Sequence, residues 1–558
     1  VDDSPAVGPL RLVDARDQAV PDWSDVLHER VCPSDVPDVP ALERGRFVDV
    51  AAHAGVQGPD TDPCNDDVFE CMATSMTGGA AAGDFDADGF ADLYVTRVRA
   101  RDSLYLNCRN GTFADVTETL GLSKADEPSN GATWADVDGD GDLDLFVTTF
   151  GKQAKRHYLY LQEAGNFRED GFNRGIAMAN EGPLYGTSAT FGDYDNDGYL
   201  DLYVGEWRRD DAVPEAERTR NHARLFRNLG ADRPGFFEDV TEPAGVRVGG
   251  EAANGVIKLD GVFVFTPVFA DLDDDGALDL ALTSDFGSSR LFWNRGDGTF
   301  MDGTSEAKVG TEQAGMGASI ADYDGDGRLD WFVTSIYEPR RRYNGNRLFR
   351  NSGKRRFVDT TDAVGVRDIG WGWGNSMLDF DNDGDLDLLA VAGFTDTDIF
   401  LKEYDGRLAL WQQSSSAGDA CEDVAARVAP APNGQGRGVA TLDYDNDGDQ
   451  DLFVVYRGQH DALLRNDVAG AAQHHLRVAL RGKINRFGIG GRVIVETSRG
   501  LLMRELQAGA SYLSHSESVA HFGLGAANDR VDVSVRLPGG ATQTFRDIEV
   551  DRNVLVVE

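Results

Sequence analysis

Seven copies of one nine-residue frame, D-x-D-x-D-G-x-x-D, punctuate this 558-residue chain, and they restrict it to folds built by repetition. The copies begin at Asp84, Asp136, Asp193, Asp271, Asp322, Asp379 and Asp443, and no position of the frame is lost in any of them. The same elements recur around each copy. A small-residue segment such as GATWAD or GASIAD leads in, and a β-branched or aromatic run such as DLYVT or DWFVT follows. A second run ends in asparagine in most copies, as in LYLN, LFWN and LLRN. An F-x-D-type strand then begins at Phe113, Phe237, Phe300 or Phe357; Phe167 begins a weaker copy, and near Leu408 the pattern is degenerate.

Four short strands per unit, joined by polar turns, predict an all-β chain folded as a seven-bladed β-propeller. The seventh unit has its asparagine strand at Leu463 to Asn466 but no F-x-D strand after it, whereas an orphan Phe47-Val48-Asp49-Val50 precedes the first unit. The simplest arrangement makes this N-terminal strand the outer strand of the seventh blade, so that the two ends of the repeat region latch the ring and remove an exposed edge. The expected division is an extended N-terminal segment over 1–45, the propeller over 46–468 and a small β-rich domain over 469–558.

The frame also carries metal chemistry. Calcium takes about six to eight oxygen ligands in a flexible cage. Aspartates at positions one, three, five and nine supply carboxylates, position seven offers its carbonyl, and glycine at position six permits the sharp turn. The expected sets are Asp84, Asp86, Asp88, Phe90 and Asp92; Asp136, Asp138, Asp140, Asp142 and Asp144; and Asp193, Asp195, Asp197, Tyr199 and Asp201. Next come Asp271, Asp273, Asp275, Ala277 and Asp279, followed by Asp322, Asp324, Asp326, Arg328 and Asp330. The last two are Asp379, Asp381, Asp383, Asp385 and Asp387, and Asp443, Asp445, Asp447, Asp449 and Asp451. One such loop reads as an acidic turn; seven read as about seven bound calcium ions. An EF-hand would need a glutamate at position twelve and flanking helices, and magnesium demands a stricter octahedral shell. The ions are expected to be structural, each pinning a hairpin.

Aspartate and glutamate total 95 against 54 lysine plus arginine, a formal charge of −41, which excludes a nucleic-acid partner. No apolar run approaches the ~20 residues of a membrane span. The start at Val1 fits a mature protein whose export signal has been removed, so a secreted, periplasmic or cell-surface location is expected. Cys64 and Cys71 flank a short polar loop that a disulfide would close in an oxidising compartment; other pairings of the five cysteines stay open.

The units resemble the FG-GAP (VCBS-type) repeats of integrin α-subunit propellers over roughly residues 47 to 466. Asn485 to Gly491, Gly509 to Ser514, His521 to Gly525 and Leu537-Pro538-Gly539-Gly540 resemble the ASPIC/UnbV domain. Repeats followed by that domain form the layout of the cartilage acidic protein family and its bacterial relatives. The chain lacks the cysteines of the EGF-like module found in vertebrate members, and its Leu537-Pro538-Gly539-Gly540 departs from the usual W-P-S-G. The resemblance therefore implies a bacterial secreted member.

Insertions gather on the side of the ring opposite the metal loops, which makes that face the expected ligand surface. Its candidate residues are Arg97, Arg156, Trp207, Arg208, Tyr337, Arg341, Trp371, Trp373, Tyr456 and Arg457. A basic and aromatic rim suits an anionic extracellular glycan or a carboxylate-rich protein. No GxSxG, HExxH or phosphate loop occurs, so binding or adhesion is the leading function. The alternative is an extracellular enzyme, polysaccharide lyase-like or sugar-modifying, with its site at the axis mouth of the same face.

Overall fold

The computed structural model describes residues 9–34, 40, 45–58, 75–97, 100–122, 128–179, 184–209, 223–253, 258–394, 404–413, 420–429, 434–468, 473–526 and 529–558. The chain is all-β apart from short helices. Around each of the seven aspartate frames, strands pair antiparallel in chain order. In the first unit these are Ala80–Gly83, Asp92–Val95, Ser103–Asn107 and Phe113–Asp115. In the last unit Gln435–Leu442, Asp451–Arg457 and Ala462–Asn466 pair in turn, and the outer strand is Phe47–Asp49, with Phe47 opposite Asn466. The degenerate stretch near Leu408 still forms a strand, Tyr404–Gln412, but its outer partner shrinks to Glu422–Asp423. The third and fourth units are also bridged, because the end of Asp201–Arg209 pairs with Lys258–Ala270.

The first strand of each unit lies against that of the next, and that of the seventh lies against that of the first. This crowding explains the small-residue lead-in segments. At Gly317 a Cβ would come within 2.4 Å of the Trp373 carbonyl, so no larger residue fits there. The second strands are buried almost throughout, Arg457 at the end of the seventh being the half-buried exception, which is why they read as near-continuous apolar runs such as Asp330–Ser335, DWFVTS.

The C-terminal strands make two four-stranded sheets. One runs Arg11–Asp14 (β1), Arg552–Val557, His474–Arg481, Ala520–Gly525; the other runs Gly500–Glu505, Arg492–Thr497, Arg530–Arg536, Gln543–Glu549. Leu10, Val478, Val493, Phe522, Val533 and Val554 share their core.

The N-terminal segment corrects one expectation: it is not simply extended. β1 completes the C-terminal sheet, pairing from Arg11 opposite Val557 to Asp14 opposite Val554. A ten-residue helix, α1 (Asp22–Val31), follows. Acidic Asp22 and Asp25 in its first turn suit the helix dipole, and Leu27 packs with Phe85 and Trp134 of the first two units. A disulfide joins Cys32 to Cys108, 76 residues apart. Cys64 and Cys71 lie outside the described residues, and Cys421 is free.

Residues 508–516 of the C-terminal domain run among the first strands of the units. Ala82 donates its N–H to the His515 carbonyl at 2.8 Å, Phe191 to Ala508 at 2.9 Å, and Ser511 to Ala318 at 2.7 Å. Asn375 donates to Ser511 Oγ at 3.2 Å, Leu513 to Ser188 Oγ at 2.8 Å, and Thr441 to Ser516 Oγ at 3.0 Å. Ala132 donates to the Leu513 carbonyl, and the Tyr512 ring meets Phe265 at 5.5 Å, so all seven units touch this segment. Gly509, at φ +95°, would place a Cβ 2.1 Å from the Ala189 carbonyl; the close approach requires glycine.

Candidate metal centres

Each frame folds on its own carboxylates. Asp84 accepts the N–H groups of Asp88 and Gly89 at 2.9 Å each, and Asp193 those of Asp197 and Gly198 at 3.0 and 2.9 Å. The pattern repeats at Asp271, Asp322, Asp379 and Asp443. In the second loop, Gly139 and Gly141 are the donors to Asp136. The glycine at position six has φ between +82° and +102° in all seven loops, which explains its invariance along the chain. The position-nine aspartate is tied to its neighbours: Asp92 accepts from the Phe85 N–H at 3.0 Å and from the Asn107 N–H at 2.8 Å.

Position three behaves differently. Asp86, Asp138, Asp195, Asp273, Asp324, Asp381 and Asp445 each keep Oδ1 buried without a hydrogen-bond partner. Leaving a buried carboxylate oxygen unpaired is unfavourable by at least 1–3 kcal/mol, roughly, so its recurrence at the same atom in seven loops fits a ligand to a cation. In the first four loops the neighbouring carboxylates place oxygens within 4.8 Å of one another, as in Asp136, Asp138 and Asp144. Burial first, and then neighbouring carboxylates, push these acids up in the cation-free chain. Asp136 rises to about 7 beside Asp140, Asp379 to about 8 beside Asp383, and Asp84 and Asp92 well above their ordinary range. Ionised together, they call for a positive charge in their midst. The residues present fit calcium in its usual all-oxygen shell.

The C-terminal domain covers this face with arginines. Arg477 lies 3.2 Å from Asp443, Arg536 donates to Asp271 at 3.0 Å, and Arg499 to Asp385 at 3.1 Å. Arg492 bridges Asp274 at 2.6 Å and Glu505 at 2.8 Å. His521, which burial drives well below its ordinary pKa, meets Asn382 of the sixth loop through Nε2 at 2.8 Å.

The residues expected to form a ligand rim do not gather on an open surface. Trp207, Trp371, Trp373 and Tyr456 are buried, as are Arg97 and Arg208. Trp371 stacks on Phe394 at 4.1 Å, Trp373 meets Tyr512 at 5.1 Å, and Trp207 donates Nε1 to Asp285 at 3.2 Å. They seal the axis around Tyr512, and Arg97 is ion-paired with Asp461. Arg156, Tyr337 and Arg457 remain half-buried and Arg341 exposed, with Arg156 lying over the Tyr158 ring and 3.1 Å from Glu169.

Two groups of residues have roles that their sequence pattern does not reveal. The asparagines ending the third strands link neighbouring units: Asn294 Nδ2 donates to the Leu278 carbonyl of its own unit at 2.9 Å and to Tyr194 of the preceding loop at 2.8 Å. Asn228, Asn351 and Asn466 reach back in the same way to Val137, Leu272 and Phe380, and Gln162 reaches Phe85. Asn107, in the first unit, reaches Tyr444 of the seventh loop at 2.7 Å. Their recurrence was a visible signal; their acceptors, being backbone, were not. The second group is Ser24 and His28 of α1, which meet the first loop and whose only sequence hint was the nearby Cys32.

A family model described as FG-GAP-like repeat matches residues 84–147, 271–333 and 336–390, and one described as ASPIC and UnbV matches 482–558. Cartilage acidic protein 1 from Homo sapiens is 27% identical over 503 residues, 85% of this chain and 70% of that protein. The Mus musculus protein of the same name is 25% identical over 501 residues, with 85% and 72% covered. Among solved structures, a Burkholderia pseudomallei lectin aligns with a TM-score of 0.43 at 12% identity, over 69% of this chain and 94% of the lectin. An Agrocybe aegerita lectin that recognises non-reducing terminal N-acetylglucosamine gives a TM-score of 0.39 at 16% identity, over 68% of this chain and 91% of the lectin.

Proposed function

We propose, for a chain that carries FG-GAP-like repeats and an ASPIC and UnbV domain and is homologous to cartilage acidic protein 1, a secreted calcium-stabilised β-propeller that binds an extracellular partner. In this reading seven blades over 46–468 form a closed ring, and the domain over 469–558 caps it. Support for closure comes from the Asn107 bond to Tyr444, which repeats between the first and seventh units the contact that joins their neighbours. Asn446 of the seventh loop likewise donates to the Gly89 carbonyl of the first at 2.8 Å. Support for secretion comes from the disulfide, which belongs to an oxidising compartment. No helix among the described residues is long and apolar enough to cross a membrane.

The observation that carries the calcium reading is the set of seven unpartnered position-three oxygens. The chain's own residues would hold each ion through carboxylates at positions one, three, five and nine, and the ion would supply charge and cross-linking rather than catalysis. The C-terminal domain lies over the aspartate loops, which supports a partner on the opposite face, beside Arg156, Tyr337, Arg341 and Arg457. A glycan or protein bearing carboxylates suits those side chains.

The test is metal content by mass spectrometry alongside a calorimetric melt. About seven calcium ions per chain and a lower melting temperature with chelator are expected. A melt that chelator leaves unchanged would sink the reading.

A further inference from the structure

The first loop differs from the other six in what reaches it from outside. α1 lies across it, anchored by the bond from Cys32 to Cys108 just past the third strand of the first unit. The helix presents Ser24 and His28, four residues apart and hence on one face. Ser24 Oγ donates to Asp86 Oδ2 at 2.7 Å. His28 Nε2 lies 3.0 Å from Asp86 Oδ2 and 3.1 Å from Asp88 Oδ2. The side chains of Asp86 and Asp88 are 0% and 1% exposed and that of His28 is 11% exposed, so the cluster is closed to bulk water.

Two triads therefore overlap in this loop. Asp84, Asp86 and Asp92 form the inner one, and His28, Asp86 and Asp88 an outer one, each with its ligand atoms within 4.8 Å of one another. Asp86 belongs to both. Its Oδ1 has no hydrogen-bond partner, as in the other loops, while its Oδ2 faces His28. A carboxylate can bridge two cations in this way, one on each oxygen.

We propose that the first loop carries a second divalent-cation site outside the calcium position, built from His28 Nε2, Asp86 Oδ2 and Asp88 Oδ2, that takes a nitrogen-accepting transition-series ion such as zinc. Calcium is a hard ion with oxygen ligands, whereas imidazole suits zinc and its neighbours in the series. Ligands on bonds of about 2.0–2.1 Å in a tetrahedron stand roughly 3.3 Å apart, a few tenths of an ångström wider than the contacts in this cluster. Small movements of the helix side chain accommodate that. Without an ion, Nε2 donates a hydrogen to the two carboxylates, and a bound ion would take that hydrogen's place. Nδ1 faces the Cys32 sulfur at 3.6 Å, an acceptor because a disulfide sulfur carries no hydrogen, so Nδ1 can keep its own hydrogen while Nε2 serves as the ligand atom. Arg109 touches Asp88 Oδ2 and is held from behind by Asp25 at 3.1 Å and Ser24 at 3.1 Å. Each carboxylate oxygen has two lone pairs, so Asp88 can serve the guanidinium and an ion together.

The site shares Asp86 and Asp88 with the calcium reading on which it rests, and the experiment separates the two. The full chain is dialysed against zinc in calcium-saturated buffer, and both metals are counted by mass spectrometry. The wild type is expected to retain about one zinc with its calcium content unchanged, and His28→Asn to lose the zinc and keep the calcium. A zinc-edge anomalous map of wild-type crystals provides a second measurement, independent of how the variant folds, and is expected to show a peak about 2.0–2.1 Å from His28 Nε2. Negligible zinc in the wild type, undiminished zinc in His28→Asn, zinc gained only by losing one calcium, or an anomalous peak away from His28 would each overturn the proposal. Zinc retained at His28 in a chain that holds no calcium would instead overturn the structural-calcium reading alone.

Discussion

Asn107, Asn228, Asn294, Asn351 and Asn466 each satisfy two backbone carbonyls, one of them in the preceding unit. Asn294→Ala leaves the Tyr194 and Leu278 carbonyls without that donor inside the fold, and is expected to lower stability by about 1–3 kcal/mol in urea unfolding. Asn107→Ala should cost about the same, because its second acceptor is Tyr444. A much smaller loss would mean that the first and seventh units do not meet in solution. The metal side of each loop is tested separately. Asp195→Asn keeps the shape of position three but removes its charge, and calcium content should fall by about one ion while the fold persists. The acidic frame could be read directly because it is a side-chain pattern with fixed spacing. The asparagine links could be seen but not interpreted, since main-chain acceptors leave no trace in residue identity.

The two elements that sequence misjudged are both tied down by distant partners. The segment before Phe47 offers a short helix whose buried residues are Ser24 and Leu27, too little pattern to distinguish from an extended tail. Its reason for folding lies in Phe85, Trp134 and Cys108, more than fifty residues away. Replacing Cys32 and Cys108 by serine should lower stability by about 2–4 kcal/mol and speed amide exchange selectively in α1. Uniformly faster exchange would contradict a local anchoring role. The aromatic residues near the axis, read as a rim, are buried for a similar reason. Tyr512 arrives from the C-terminal domain, packs on Phe265 and Trp373, and donates its hydroxyl to the Met76 carbonyl at 2.5 Å. Tyr512→Ala opens a void at that convergence, with an expected loss of about 3–5 kcal/mol measured by thermal or denaturant melts.

For the molecule as a whole, charge sets the response to pH. In the cation-free chain burial holds Asp136 at about 7 and Asp330, Asp379 and Asp449 at about 8, against an ordinary 3.8. A raised folded pKa stabilises below the unfolded value and is lost as pH climbs through the folded one, so these groups favour folding increasingly as pH drops from about 8 toward 4. Buried His157 and His515, lowered by desolvation to about 3 and about 4 from 6.5, act in the opposite sense and withdraw stability as pH drops below 6.5. Four such carboxylates outweigh two histidines, so chelated protein should melt progressively higher as pH drops from about 8 toward 4, less steeply below 6.5, and the gain from added calcium should widen between pH 6 and pH 8, roughly. A calcium gain that is flat over this range would argue against ionised loops as the binding groups. At this scale the sequence was most informative: repeat count, strand order and the displaced Phe47 strand all follow from spacing. What it could not show is the placement of residues 508–516, which hydrogen-bond to main-chain atoms of six separate strands and pack Tyr512 on the seventh. That placement has a consequence for synthesis. A ribosome delivering this chain from its N-terminus makes all seven units before it makes the segment that sits at their centre. Termination between Asn466 and Ala508 thus leaves seven units without the segment that packs among them. Such a product would lack the Tyr512 ring against Phe265 and Trp373, leaving that aromatic lining open until residues 508–516 follow.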